Sequence, residues 1–533
     1  MKKCLSVVLL LACSVAAAQD EEVLRAALYL TGADSAEGAD TSIIDLLESR
    51  QGRRIRINDN HLRGGGILSD YQVAVIKDYR GRSGDILSWE ELALLDGFSP
   101  EAVAALKPFL SLDSSRLPGS ADTVRVRGQA LLRTTLTSVG GKAKASGSFW
   151  RAGGAWRGKD GTFYGELTGN RTRWIIGDYN IRFGQGLSMW TGFSMESLST
   201  VDAFVRRPQG AAPVWSYSSG SVLRGIAGEY TGGPLRITAF ASLNKTFGAR
   251  AEWLGRRGQA GITAATQPGA PLLLSADGRF QYKGLLITGE LAWKNRNFSG
   301  LMAASMPLGE HIRLAMQGRV IPSRYSGKKY GEYALATGLE YKAGRVLTAS
   351  LTADAALLPI PANSGSSGDP RRYQLRVYTR CAWQISSLWA VEARITERYR
   401  NHERPRTAVR TDLRLGSGPW QGTFRSEEVF CEQVGWLGYL EAGRKTDIWA
   451  AWARVTGFVI DRWNDRVYCY ERDAPGTFSV PAYNGRGGAI SLVSSWKHRF
   501  RHLTLKAYLR SACVFRQGRT PAPTLNLQLQ CEI

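Results

Sequence analysis

The five histidines, His61, His311, His402, His498 and His502, are the first place to look for acid–base or metal chemistry. Only His498 and His502 are close in sequence, and the alternation around them marks a strand. Four positions along a strand separate side chains by about 13 Å at a ~3.3 Å rise, too far for one metal ion. Ser495 lies beside them, so a Ser–His pair with His498 or His502, as a barrel-embedded lipid hydrolase would need, is the one nucleophile arrangement on offer, and no motif selects it. Cys4 and Cys13 lie at the N-terminus. Cys381, Cys431, Cys469, Cys513 and Cys531 are scattered without C-x-x-C spacing, which indicates neither a zinc site nor a disulfide framework. Gly184-Gln185-Gly186 lacks the strand–turn–helix context and the Lys-Ser/Thr of a phosphate loop. The expectation is a chain without an enzymatic site, cofactor or metal.

Arginine at even spacing is the more prominent chemistry. Arg372, Arg376 and Arg380, then Arg394 and Arg398, then Arg410 and Arg414 recur with Glu392 and Asp412 interleaved. On strands, even spacing puts these side chains on one face. In a barrel they would line one wall of the lumen. Such a wall is either an Arg–carboxylate ladder that rigidifies a wet interior or a vestibule favouring anions, nucleic acid or lipopolysaccharide phosphates among them. The charge is segregated along the chain. The total is +23, yet residues 19–40 carry one arginine against six acids, a net −5, and residues 41–112 a net −1. Residues 113–533 carry +27.

The elements that must position this wall are strands. Thr524–Ile533 alternates strictly, with Leu525, Leu527, Leu529, Cys531 and Ile533 on one face and Asn526, Gln528, Gln530 and Glu532 on the other. A chain ending on such a strand leaves a raw edge unless the sheet closes. The same period recurs from Thr123 onward, in segments of about ten residues separated by turn residues, as in outer-membrane barrels. At roughly 20 residues per strand and turn this gives about 18–22 strands. The fold class is therefore mainly β: a large antiparallel transmembrane β-barrel over 123–533, Thr524–Ile533 pairing with a strand that starts near Val124. Trp190, Trp389, Trp420, Trp436 and Trp449 fall near strand ends, as an interfacial girdle would place them. Residues 1–18 read as a secretory signal peptide: Lys2 and Lys3, an apolar run from Leu5 to Val15, then Ala16-Ala17-Ala18. The expected location is the outer membrane of a Gram-negative cell, with lipid and lipopolysaccharide around the barrel.

Ahead of the barrel, residues 19–40 predict an acidic linker with a short helix near Glu22–Leu30. Residues 41–112 predict a small all-α domain. Ser69-Asp70-Tyr71-Gln72 and Ser88-Trp89-Glu90-Glu91 are capping boxes, and Ser99-Pro100 is a cap followed by proline at the first helical position. Three short helices follow, about 70–80, 89–95 and 100–110. Residues 113–122 (DSSRLPGSAD) read as a linker.

Ile55-Arg56-Ile57-Asn58, Asp78-Tyr79-Arg80-Gly81-Arg82-Ser83-Gly84, Trp89-Glu90-Glu91-Leu92, Gly97-Phe98 and Lys107-Pro108-Phe109-Leu110 together resemble the tandem helix-hairpin-helix module of competence-type DNA-uptake proteins. The resemblance implies two hairpins of Gly-apolar-Gly form whose backbone amides hold a DNA phosphate. The corresponding positions are Gly64, Gly65, Gly66 and Ile67 in the first hairpin and Gly97 and Phe98 in the second. Both lack the closing glycine, which Leu68 and Ser99 replace. The net −1 of the module also opposes a phosphate-binding surface.

The stretch Trp174–Gly192, with Tyr217-Ser218-Ser219, Leu223–Ala227, Tyr470-Glu471-Arg472-Asp473 and Pro481–Gly487, resembles exported Gram-negative proteins that join an N-terminal helix-hairpin-helix module to an outer-membrane barrel. That resemblance brings no assigned activity. It implies transport, structural or assembly work with the module on the periplasmic side and a periplasmic protein partner, or alternatively DNA binding or uptake. Residues 193–210, with Arg206-Arg207-Pro208, form either a plug folded into the barrel or an ordinary extracellular loop.

Overall fold

The computed structural model describes residues 21–533 apart from 52–53, 61, 115–125, 193–197, 219, 221, 256, 327, 329, 345, 360–370 and 402. The signal peptide, most of the 113–122 linker, His61, His402, Ser219 and Val124 lie outside the described residues.

Five helices open the described chain: α1 (Glu21–Thr31), α2 (Thr41–Arg50), α3 (Asp70–Ser83), α4 (Trp89–Ala93) and α5 (Pro100–Leu106). The capping boxes at Ser69 and Ser88 form as the sequence predicts, and Ser99 caps α5. Helix α2 was not anticipated. Its signal is Asp40, whose carboxylate accepts the Ser42 amide at 2.9 Å. Strands β1 (Ile55–Asn58) and β2 (Leu110–Ser114) pair in parallel and tie the ends of this region together. One apolar core runs through it, joining Val23, Ala27 and Leu30 of α1 to Ile43 and Leu47 of α2, Ile76 of α3 and Leu106 of α5. Residues 21–31 are thus packed into the helical region rather than linking it to something else.

The remainder is a closed antiparallel barrel of 24 staves. It begins with β3 (Arg127–Thr135), β4 (Val139–Ser146), β5 (Trp150–Arg157), β6 (Asp160–Thr168) and β7 (Thr172–Arg182) and continues from β9 (Leu223–Gly232) to the last stave, Ala522–Glu532. The count exceeds 18–22 because the turns are tight. On the rim that carries both ends of the barrel chain, every connection is two to four residues long. The opposite rim carries the long connections, 183–222 and 461–484 among them.

Closure occurs where the C-terminal alternation requires it. Asn526 pairs with Thr135 and Glu532 with Gln129, so the first stave starts at Arg127 in the described chain. Gln528 and Gln530 are buried inside, whereas Leu525, Leu527 and Leu529 face out. The outward face is apolar on stave after stave, with Trp253, Tyr282, Trp383, Trp389 and Trp420 at the ends beside the short turns. An apolar outside around a polar inside is the pattern of a barrel solvated by lipid.

The wall changes course once. At Gly177 the chain takes φ +104°, and a Cβ there would clash with the carbonyl oxygen of Phe163. Beyond this glycine β7 turns inward. Its last residues, Tyr179–Arg182, pair with an inner strand β8 (Gly210–Pro213), while its first part pairs with β9.

Candidate functional site

The lumen is the candidate functional region, and the wall residues come first. All seven arginines of the 372–414 series project inward, alternating with outward Tyr373, Leu375, Ile395 and Leu415. Arg380, Arg394, Arg410 and Arg414 are already matched by carboxylates. Arg380 donates to Glu392 at 3.1 Å, and Arg394 and Arg414 donate to the same carboxylate. Arg410 bonds Asp412 at 2.7 Å, Arg398 approaches Glu403 at 3.9 Å, and Arg372 stacks on Tyr330. Arg376 lines a small cavity beside the inward segment.

The rest of the match comes from the N-terminus. Asp34 reaches Arg394 at 3.0 Å. Glu37 takes Arg425 at 2.6 Å and Arg410 at 3.1 Å. Asp40 takes Arg182 at 3.0 Å. Asp45 and Glu48 receive Lys142 at 3.1 and 3.8 Å. Asp70 holds Arg236 through two 2.6 Å bonds. Glu21 meets Arg472 at 3.3 Å and Lys445 at 3.4 Å. A short acidic stretch thus docks against staves from several parts of the circumference, and the helical region sits in the barrel mouth. Docking buries the carboxylates, and burial alone would raise the pKa of Glu37. Arg410, Arg425 and the Tyr470 amide override it and hold Glu37 well below the usual carboxylate range. Glu48 goes the other way: burial raises it, and Lys142 offsets this only in part.

The described residues 183–192 and 198–218 turn inward and complete the filling. The amides of Gln185, Leu187 and Ser188 and the Ser188 hydroxyl donate to one carboxylate, Glu290, at 2.6–3.0 Å. Thr200 donates its hydroxyl to the Gly32 carbonyl at the end of α1, and Arg207 lies over the ring of Tyr29. Asp202 receives Arg313 at 2.8 Å; burial opposes its charge, but Arg313 lowers its pKa to about 2. Trp215 packs with Leu131, Ala155, Tyr164 and Tyr217. Trp190, expected in the interfacial girdle, lies inside instead, where Arg182 and Arg206 stand over its ring. Between the two expectations for residues 193–210, the described part from 198 onward is folded into the barrel. From the same rim, 461–484 also turns inward: Arg133 bonds Asp473, and the Gly476 amide donates to Glu48.

The hairpin glycines fare differently from one another. Gly65 lies against the Arg50 guanidinium, Gly66 against Leu46 and Gln209, and Ile67 is buried. The first hairpin therefore faces the barrel interior. It lines a cavity of about 1610 Å³ at the rim of short turns. Gly97 packs on the Tyr71 ring, and its carbonyl accepts Gln72. Phe98 joins the helical core. The serine and histidine pair does not assemble: Ser495 points into the barrel and is buried, while His498 stacks on Trp496 on the outer face. Among the described residues no cluster of His, Cys, Asp or Glu could hold a metal ion.

The sequence showed the arginine wall but not its partners Asp34 and Glu37. Their signal was present as the net −5 of residues 19–40 beside a strongly basic barrel.

No protein-family model and no curated protein matches the chain. Among solved structures it is similar to the copper transporter OprC, at 8% identity and TM-score 0.40, covering 78% of this chain and 81% of that one. It is also similar to the E. coli P pilus tip assembly intermediate PapC-PapD-PapK-PapG, at 10% identity and TM-score 0.47, covering 78% and 62%. The siderophore receptor PirA from Pseudomonas aeruginosa matches at 9% identity and TM-score 0.40, covering 77% and 80%.

Proposed function

We propose that this chain is a non-catalytic outer-membrane conduit closed by its own N-terminal helical region, which enters from the periplasmic side. The rim of short turns is then periplasmic and the rim of long connections faces outward, following the general habit of such barrels. The observation that carries the reading is the set of ion pairs from Asp34, Glu37, Asp40 and Asp45 to Arg394, Arg410, Arg425, Arg182 and Lys142. Ion pairs are a fitting attachment for a stopper that must leave. They give register and specificity, and they bury less apolar surface than a permanent core. Residues 41–112 serve in this reading as a degenerate helix-hairpin-helix docking domain. The exposed Leu87 and Leu94 beside α4 offer a periplasmic protein partner a handle for withdrawing it. The basic wall 372–414 becomes a conducting surface only after Asp34 and Glu37 depart. A DNA-uptake role draws no support from the first hairpin, which packs on Arg50 and Gln209.

Planar-bilayer conductance is the test. The full chain should be nearly silent, and Glu37→Lys, which sets a third cation beside Arg410 and Arg425, should produce frequent openings. A chain lacking residues 21–112 that still shows heat-modifiable gel migration should conduct continuously. A folded but silent deletion variant would overturn the reading.

A further inference from the structure

We propose that the cavity between the first hairpin and the rim of short turns is a binding site for a phosphate-type oxyanion, held by Arg50 and Arg151. The cavity measures about 1610 Å³. Three guanidinium groups converge on one carboxylate at its inner end. Arg151 and Arg173 both donate to Glu166, the second at 3.0 Å, and Arg173 also bonds the Ala211 carbonyl at 2.8 Å. Glu166 bonds these two and attracts Arg50 from farther away. Arg50, the last residue of α2, has no ion pair among the described residues. Its Nε is buried without a hydrogen-bond partner, and so is Nη1 of Arg151. Burial, with Arg151 and Arg173 nearby and Glu166 opposing them, lowers the Arg50 pKa to about 9.

Buried guanidinium donors are costly to leave unpaired, and a buried charge needs a counter-charge. An oxyanion with several acceptor oxygens in the cavity supplies the counter-charge, and the planar fork of arginine matches its geometry. The site has depth for more than the anion, so it suits a phosphate monoester. It lies inside the stave wall, which separates it from lipid head groups. The occupant is therefore a soluble phosphate compound. Gly65 is part of the site: a Cβ there would stand 3.1 Å from the Arg50 guanidinium carbon.

Isothermal titration of the full detergent-solubilised chain at constant ionic strength tests this, with inorganic phosphate, glycerol 3-phosphate and sodium chloride as the three titrants. Saturable binding of either phosphate, absent with chloride, is expected. Arg50→Gln should weaken it at least tenfold, and because Arg50 holds no ion pair among the described residues, the variant should keep heat-modifiable migration. Arg151→Gln should weaken binding as well, although it also loosens Glu166. Arg324→Gln, near the opposite rim, should bind as the parent chain does. Absence of saturable binding by the parent chain overturns the proposal, as does equal binding by folded Arg50→Gln. Glycerol 3-phosphate binding more tightly than inorganic phosphate supports the monoester; the reverse order supports free phosphate as occupant of the same site.

Discussion

Glu37 shows how one residue sets the state of the lumen. Its two oxygens take Arg425, Arg410 and the Tyr470 amide, so three separate elements converge on it. Its pKa is held well below the ordinary carboxylate value despite burial. A depressed carboxylate contributes stability that is present above the unfolded pKa and lost as pH falls through the folded one. The helical region should therefore stay docked at pH 5 and loosen only in more strongly acidic solution. Protease protection of residues 21–50 across that range checks it. Glu37→Gln removes the counter-charge and leaves Arg410 and Arg425 sharing Asp412; truncating one side of a buried pair of this kind costs about 3–5 kcal/mol. Protection should then fall already at neutral pH. Glu37 stood in plain view in the sequence as part of an acidic stretch. Its partners did not, because they lie more than 370 residues away and only barrel closure brings them near.

At the scale of elements, the inward segment is held where a run of donors meets a single acceptor on the wall. Gly184, at φ +56°, brings the amides of Gln185, Leu187 and Ser188 onto Glu290, and a Cβ on it would lie 2.7 Å from that carboxylate. Hydrogen bonds to a charged acceptor contribute roughly 1.5–3 kcal/mol each. Glu290→Gln should release this turn, and Gly184→Ala should do so by steric conflict. Amide hydrogen exchange at 185–188 should rise at least tenfold in both variants, while protection of the surrounding staves is unchanged. An increase spread over the whole barrel would show that the turn is structural cement and not a local latch. The sequence marked this stretch by its glycines. It could not give the direction. A turn into the lumen and a turn out to solvent use the same residues, and the choice rests on Glu290, a hundred positions downstream. Helix α2 was missed for a related reason. Its cap is a lone Asp40 without a capping-box partner, and its apolar residues Ile43, Ile44, Leu46 and Leu47 are too few to separate a helix from a strand.

For the whole molecule, alternation was sufficient to predict a barrel and to place its seam, because one face of every stave must be apolar and the last strand must find the first. The strand number was underestimated because turn length leaves no periodic signal. Val455 lies at the middle of its stave and faces outward, and its outward neighbours on the adjoining staves are Leu440 and Ile490. All three are more than half exposed. In a water-soluble protein, an arginine at such an exposed position would change stability by less than about 0.5 kcal/mol. In a bilayer, an arginine near the midplane costs about 2–4 kcal/mol, and one near the interface costs little. Val455→Arg should therefore lower the stability of the barrel refolded into phosphatidylcholine vesicles by that larger amount. Trp420→Arg, at the end of its stave beside the short turns, should cost much less. Equal and small effects at both positions, read from denaturant titrations of the intact chain, would remove lipid from the account of this surface.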